Sequence, residues 1–187
     1  MPFPPPPPPP PQLPPPLPLP PPLLFLDVDG PLIPFGGPGP YPEYGVDGTP
    51  PPAHPLLSRI DPALGPRLLA LRCAPVWATR WGADANTVVG PWLGLPPLPV
   101  LPVEDDPDGP QAPVRGLHWK TLPLLARAAG RPFVWLDDEI GEADRTWVAA
   151  AHPAPALLHR VDPQHGLTDA DFATVRAWLD RPDGAVR

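Results

Sequence analysis

At 187 residues the chain can hold one domain with a substantial core, and its formal charge of -7 with no run of Lys or Arg argues against a basic groove that tracks nucleic acid. Cys73 is the only cysteine, which excludes an intramolecular disulfide and the multi-cysteine zinc motifs and suits the reducing cytoplasm. Basic residues are almost all Arg, so Lys120, the only lysine, stands out against the drift of composition.

Residues Met1 to Pro22 are proline interrupted only by Phe3, Gln12, Leu13, Leu17 and Leu19. Proline lacks the amide donor that helix and interior strand need, so this tail is expected to be extended, disordered polyproline II outside any core. It has neither a basic start nor an unbroken apolar run, and so reads as neither signal peptide nor membrane span. It reads as a low-complexity extension, with a ligand for an SH3, WW or EVH1-type groove as the alternative. The folded domain is expected over residues 23–187.

It opens on Leu23-Leu24-Phe25-Leu26-Asp27-Val28-Asp29-Gly30, four apolar residues running into two carboxylates one residue apart and a glycine. That pattern is a buried parallel strand ending at a site, with Asp27 and Asp29 on the same side of the chain. Pro31 to Pro55 is rich in Pro and Gly and shows no period, which predicts a flap over the end of that strand. Leu64, Leu68, Leu69 and Leu71 predict a helix within Asp61–Arg72, and Pro75-Val76-Trp77-Ala78-Thr79 a second strand ending on a hydroxyl. A helix over Asp84–Leu93 and a third strand over Leu98–Val103 follow, then the acidic loop Glu104 to Gly109, read as solvated surface.

His118-Trp119-Lys120-Thr121 opens a helix with Leu122, Leu124, Leu125 and Ala128 facing inward and Gly130 closing it. Phe133-Val134-Trp135-Leu136 is a fourth strand, and it too ends in acids, Asp137-Asp138-Glu139. A helix over Asp144–Ala151 and a fifth strand over Ala156–Val161 precede a last helix, capped by Thr168 with Asp171 and burying Phe172, Val175, Trp178 and Leu179. Alternating strands and helices predict an α/β fold: a Rossmann-like parallel sheet of about five strands with helices on both faces. The polar strand ends then share one edge, where open α/β sheets bind ligands. Carboxylates gathered there repel one another unless a cation joins them, and Mg²⁺ with oxygen ligands is the usual choice where phosphate completes the shell.

Leu24-Phe25-Leu26-Asp27-Val28-Asp29-Gly30, Val76-Trp77-Ala78-Thr79, Lys120 and Val134-Trp135-Leu136-Asp137-Asp138 resemble, in order and context, the four motifs of the haloacid dehalogenase (HAD) superfamily of phosphohydrolases. The resemblance covers about residues 23 to 180 and is nearest to small, nearly capless members such as the HAD domains of bacterial RNA-repair proteins. It implies a phosphatase in which Asp27 is the nucleophile that forms an aspartyl-phosphate, and Asp29 the general acid and then base. Thr79 would donate to the phosphoryl oxygens, Lys120 would neutralise their charge and orient Asp27, and Mg²⁺ would sit on Asp27, Asp137, Asp138 and the backbone carbonyl of Asp29. The Pro31 to Pro55 flap would stand as a minimal, C0-like cap, leaving the site open to a bulky phosphate, a polynucleotide end included.

Pro31 stands where the family usually has Thr. Arg80, next to Thr79, is expected in a surface ion pair, with contact to an anionic substrate as the alternative. Most of the seven Trp are expected in the core, while Trp81 and Trp119, beside the polar motifs, could stack on a substrate ring. His118 reads as a satisfied histidine at a helix start. Two other readings use the same residues: a phosphotransferase with an acceptor other than water, and a non-catalytic scaffold recruiting partners through the proline-rich tail.

Overall fold

The computed structural model describes residues 20–45, 54–102 and 116–181. Most of the proline tail and the whole acidic loop lie outside these residues. Four strands, β1 (Leu23–Leu26), β2 (Ala74–Trp77), β3 (Phe133–Asp137) and β4 (Ala156–Arg160), form one parallel sheet in the order β2-β1-β3-β4. The helices are α1 (Leu64–Leu69), α2 (Gly90–Trp92), α3 (Thr121–Ala128), α4 (Glu142–Ala151) and α5 (Asp169–Leu179), with a 3-10 turn at Pro55–Arg59 and a π-helical turn at Ala85–Val89. Among the described residues no helix is long and apolar enough to cross a membrane.

The central strands read as unbroken apolar runs because both of their faces are covered. Leu24 and Leu26 of β1 and Val134 and Leu136 of β3 pack in one cluster with Leu64 and Leu68 of α1 and Phe172, Val175 and Trp178 of α5. The alternate residues, Leu23, Phe25, Phe133 and Trp135, pack on the other face with Leu124 and Ala128 of α3 and Val148 of α4. Strand periodicity thus sends successive side chains to two cores, and each core is closed by helices. Cys73 packs against the first of them, its thiol pushed up to about 11 by burial, as suits a small apolar residue.

The expected third strand, Leu98–Val103, does not form; Val103 itself lies outside the described residues. The segment touches β2 at one bridge, Trp77 to Val100, where Trp77 N donates to the Pro99 carbonyl (2.9 Å) and Leu101 N to the Trp77 carbonyl (2.7 Å). Pro96, Pro97, Pro99 and Pro102 remove the amides a longer ladder would use. Asn86 holds the segment instead, accepting from Leu98 N (2.8 Å) and Trp77 Nε1 (3.0 Å) and donating to the Leu98 carbonyl (2.8 Å). The sheet therefore has four strands rather than five.

Two smaller expectations also change. Leu122 is exposed, because the buried stripe of α3 runs through Thr121, Leu124 and Ala128 and leaves Leu122 on the outer side. Most of the seven Trp do lie in the core or against it, Trp77, Trp135 and Trp178 buried and Trp81 and Trp92 packed on it, while Trp147 on α4 is exposed. The α3 terminus reaches the left-handed region one residue early, at Ala129 (φ 48°), before Gly130 (φ 80°).

Gly65 shows how tightly α1 is seated. A Cβ there would lie 1.8 Å from the Leu93 carbonyl oxygen. Alanine is the better helix former by about 1 kcal/mol, yet Gly65→Ala is expected to lower stability by about 3 kcal/mol in urea unfolding, because backbone must move to admit the methyl.

Candidate active site

Asp27 follows β1 directly, its amide still donating to Leu136 of β3 (3.1 Å) as the Ala78 amide of the β2 end donates to Leu26 (2.9 Å). Asp27, Thr79 and Asp137 therefore stand at the same, carboxyl edge of three neighbouring strands. Asp27, Asp137 and Asp138 are all buried, and one oxygen from each lies within 4.8 Å of the others. Lys120 is buried among them at the start of α3. Its Nζ donates to Asp27 Oδ2 (2.5 Å) and to Asp137 Oδ2 (2.6 Å).

The other oxygens are used too. Asp27 Oδ1 accepts from Val28 N (2.8 Å), Asp137 Oδ1 from Glu139 N (2.9 Å), and Asp137 Oδ2 also from Trp135 Nε1 (3.1 Å). Asp138 comes close because residue 30 has no side chain: a Cβ on Gly30 (φ 80°) would lie 2.5 Å from Asp138 Cγ. Arg160 Nε holds the Asp138 carbonyl from the end of β4 (2.8 Å).

Three carboxylates surround one ammonium, so the cluster keeps excess negative charge. Burial, with the Asp137 charge added, raises Asp27 to about 7 against the pull of Lys120. Asp138 is also raised, by burial first and then by Asp137. A hard divalent cation on these oxygens would relieve both costs, since carboxylate oxygens are the donors such a cation takes.

A cleft of about 190 Å³ opens on the cluster and is lined by Asp27, Asp29, Arg80, Trp119, Lys120 and Asp138, with Phe35 from the expected flap and Glu139 at its border. Asp29 is half-buried, and its Oδ2 accepts from Trp81 Nε1 (3.1 Å). Thr79 is fully buried and is not part of the cleft lining; its Oγ1 accepts from Trp81 N (3.3 Å). Of the predicted residues, then, Lys120 bonds Asp27 and Asp137, Asp138 brings an oxygen within 4.8 Å of theirs, Asp29 shares the cleft, and Thr79 is buried outside its lining. Only part of the flap is described, since residues 46–53 fall outside.

The surface ion pair expected for Arg80 is not formed among the described residues. Its guanidinium lies over the Trp119 ring instead, 5.3 Å from the centroid. His118 is satisfied as expected: Nδ1 accepts from Lys120 N (3.2 Å) and Nε2 meets Glu139 Oε2 (3.0 Å).

Sequence reasoning missed Asp144, which it placed only as a helix residue. Its buried carboxylate accepts from His118 N (2.8 Å), Thr121 Oγ1 (2.5 Å) and Gly141 N (2.9 Å), tying the turn that carries Lys120 to the start of α4. The spacing Gly141-Glu142-Ala143-Asp144 signals a helix cap, but nothing local signals that the cap also grips a turn more than twenty residues upstream.

No protein-family model matches this chain, and no curated protein or solved structure matches it.

Two outcomes are expected. Asp144→Ala leaves one buried and two part-buried donors without this partner and should lower stability by about 2 kcal/mol in urea unfolding, whereas Asp180→Ala, which removes an exposed pair with Arg72, should change it by about 0.5 kcal/mol or less. The second concerns pH. Between 3.8 and about 7 the folded chain keeps a proton on Asp27 that the unfolded chain releases, so stability of the metal-free protein falls as pH rises through that window and the loss is complete above it. Asp27→Asn should flatten this slope and, in EDTA at about pH 8, stabilise the protein by roughly 2 kcal/mol; an unchanged slope would show that Asp27 titrates in the ordinary carboxyl range.

Proposed function

We propose that this chain is a Mg²⁺-dependent phosphohydrolase of the HAD type that works through an aspartyl-phosphate on Asp27. The observation that carries the reading is the only lysine of the chain buried between Asp27 and Asp137, with Asp138 beside them, at the carboxyl edge of a parallel sheet. A structural ion pair needs one acid per base; three buried acids around one base are a poor device for stability but a suitable one for holding a cation and a phosphoryl group.

Asp27, Asp137 and Asp138 would hold the Mg²⁺, which when bound offsets charge on the carboxylates and on the phosphoryl oxygens. In the first step a carboxylate oxygen of Asp27 attacks phosphorus. The P–O bond to the Asp27 carboxylate forms, the P–O bond to the alcohol breaks, and protonated Asp29 gives its proton to the departing oxygen. In the second, Asp29 takes a proton from water as the water oxygen attacks phosphorus, and the Asp27 carboxylate leaves, so that inorganic phosphate and the starting enzyme result. Lys120 keeps the Asp27 carboxylate aimed through its 2.5 Å bond and puts a positive charge beside the transferring group. Trp81 Nε1 orients Asp29 on the same cleft. Arg80, on the cleft wall without a carboxylate partner among the described residues, adds a second cation for the phosphate.

Phosphate release from an aryl phosphate in Mg²⁺ is the test. Activity should vanish in EDTA and fall by at least about a thousandfold in Asp27→Asn. Beryllofluoride with Mg²⁺ should raise the melting temperature of the wild type and leave that of Asp27→Asn unchanged. Absence of both the activity and the Asp27-dependent stabilisation would overturn the reading.

A further inference from the structure

A second, larger cleft adjoins the first. It has a volume of about 520 Å³ and is lined by Asp29, His54, Arg80, Trp81, Asp84 and Val88, so that Asp29 and Arg80 stand in both clefts. Asp29 is the residue read above as the proton donor to the departing alcohol. Whatever lies beyond Asp29 from the phosphoryl position is therefore the place of the alcohol itself.

Trp81, His54 and Val88 give one part of its wall a flat aromatic and aliphatic surface, beside the charged Asp29, Arg80 and Asp84. Trp81 is fixed at three points: its Nε1 donates to Asp29 Oδ2 (3.1 Å), its amide donates to Thr79 Oγ1 (3.3 Å), and the His54 ring meets it edge-on with centroids 5.1 Å apart at 68°. Val88, on the π-helical turn that follows, adds an aliphatic surface, and Asp84 an acceptor for a hydroxyl. A held indole loses little freedom when a ring packs against it, which favours aromatic over flexible aliphatic ligands. The volume lies in the range that takes small molecules.

The geometry points to a substrate class: phosphate monoesters of small alcohols that carry an aromatic ring, with the phosphate at Asp27 and Lys120 and the ring in the cleft of Trp81, His54 and Val88. This assignment rests on the phosphohydrolase reading for the phosphate end and on the second cleft for the ring.

The experiment compares benzyl and ethyl compounds, since both esters release a primary alcohol and differ in the ring. Calorimetric titration of the full chain in Mg²⁺ with the non-hydrolysable benzylphosphonate and ethylphosphonate measures binding apart from chemistry. The benzyl compound should bind about tenfold more tightly, and both Trp81→Ala and Val88→Gln should abolish most of that advantage. Val88 makes no bond to Asp29, so its variant separates the ring cleft from the orientation of the acid. In turnover, kcat/KM for benzyl phosphate should exceed that for ethyl phosphate by a similar factor.

Equal affinities, binding of neither phosphonate, or an advantage that survives in both variants would each overturn the assignment. Turnover of both esters with equal kcat/KM would overturn it while upholding the hydrolase. Ring-selective binding without turnover of either ester would uphold the cleft and count against the hydrolase.

Discussion

The structure depends on one buried ammonium. Lys120 sits where two strand ends bring Asp27 and Asp137 together, and without its charge those carboxylates would face one another across a dry gap. A lysine suits the place better than the arginine that dominates the rest of the chain. Its compact head bonds two carboxylates that lie in different directions, while a planar guanidinium would demand both oxygens of one of them. Burial first, and then the neighbouring Asp137 charge, raises the protonation range of Asp27 and Asp138 in spite of that ammonium.

The surroundings hold this group from two sides. From the α3 side, Asp144 grips the turn at His118 and Thr121, so the lysine backbone is anchored while its side chain spans to the sheet. From the loop side, the absence of a side chain at Gly30 lets Asp138 close in over the end of β1. Trp135 and Trp81 then act as fixed donors, one to Asp137 and one to Asp29. These two bonds orient carboxylates with indoles that are themselves packed, and a packed donor gives a narrower range of positions than a surface side chain would.

Much of this was legible in the sequence, and what was not has physical reasons. The apolar runs that end in acids gave away β1 and β3, because strands buried on both faces leave no other pattern. That Lys120 belongs with Asp27, Asp137 and Asp138 came from order along a recognisable set of motifs rather than from any periodicity. The segment at Leu98 misled because it is rich in Leu and Val, while the prolines between them decide the hydrogen bonding. Leu122 misled because a short helix with many leucines fits more than one buried stripe. Asp144 and the place of Arg80 over Trp119 were out of reach, since both rest on contacts between distant parts of the chain. The second cleft is of the same kind: His54 and Trp81 meet across nearly thirty residues, and only the fold puts them together.

The strand order has a kinetic side. β1 comes first in the chain yet occupies the interior of the sheet, and its second neighbour, β3, begins only at Phe133. Asp27 and Lys120 are separated by 93 positions in sequence. A chain emerging from the ribosome can pair β1 with β2 early, but one edge of β1 stays open until two thirds of the molecule has been made. The prolines just before it and the carboxylates just after it bracket that open edge, and both are residue types that discourage a waiting strand from pairing with another chain. The acids at the end of β1 therefore act on the molecule before it has a cleft, as guards of an unfinished sheet.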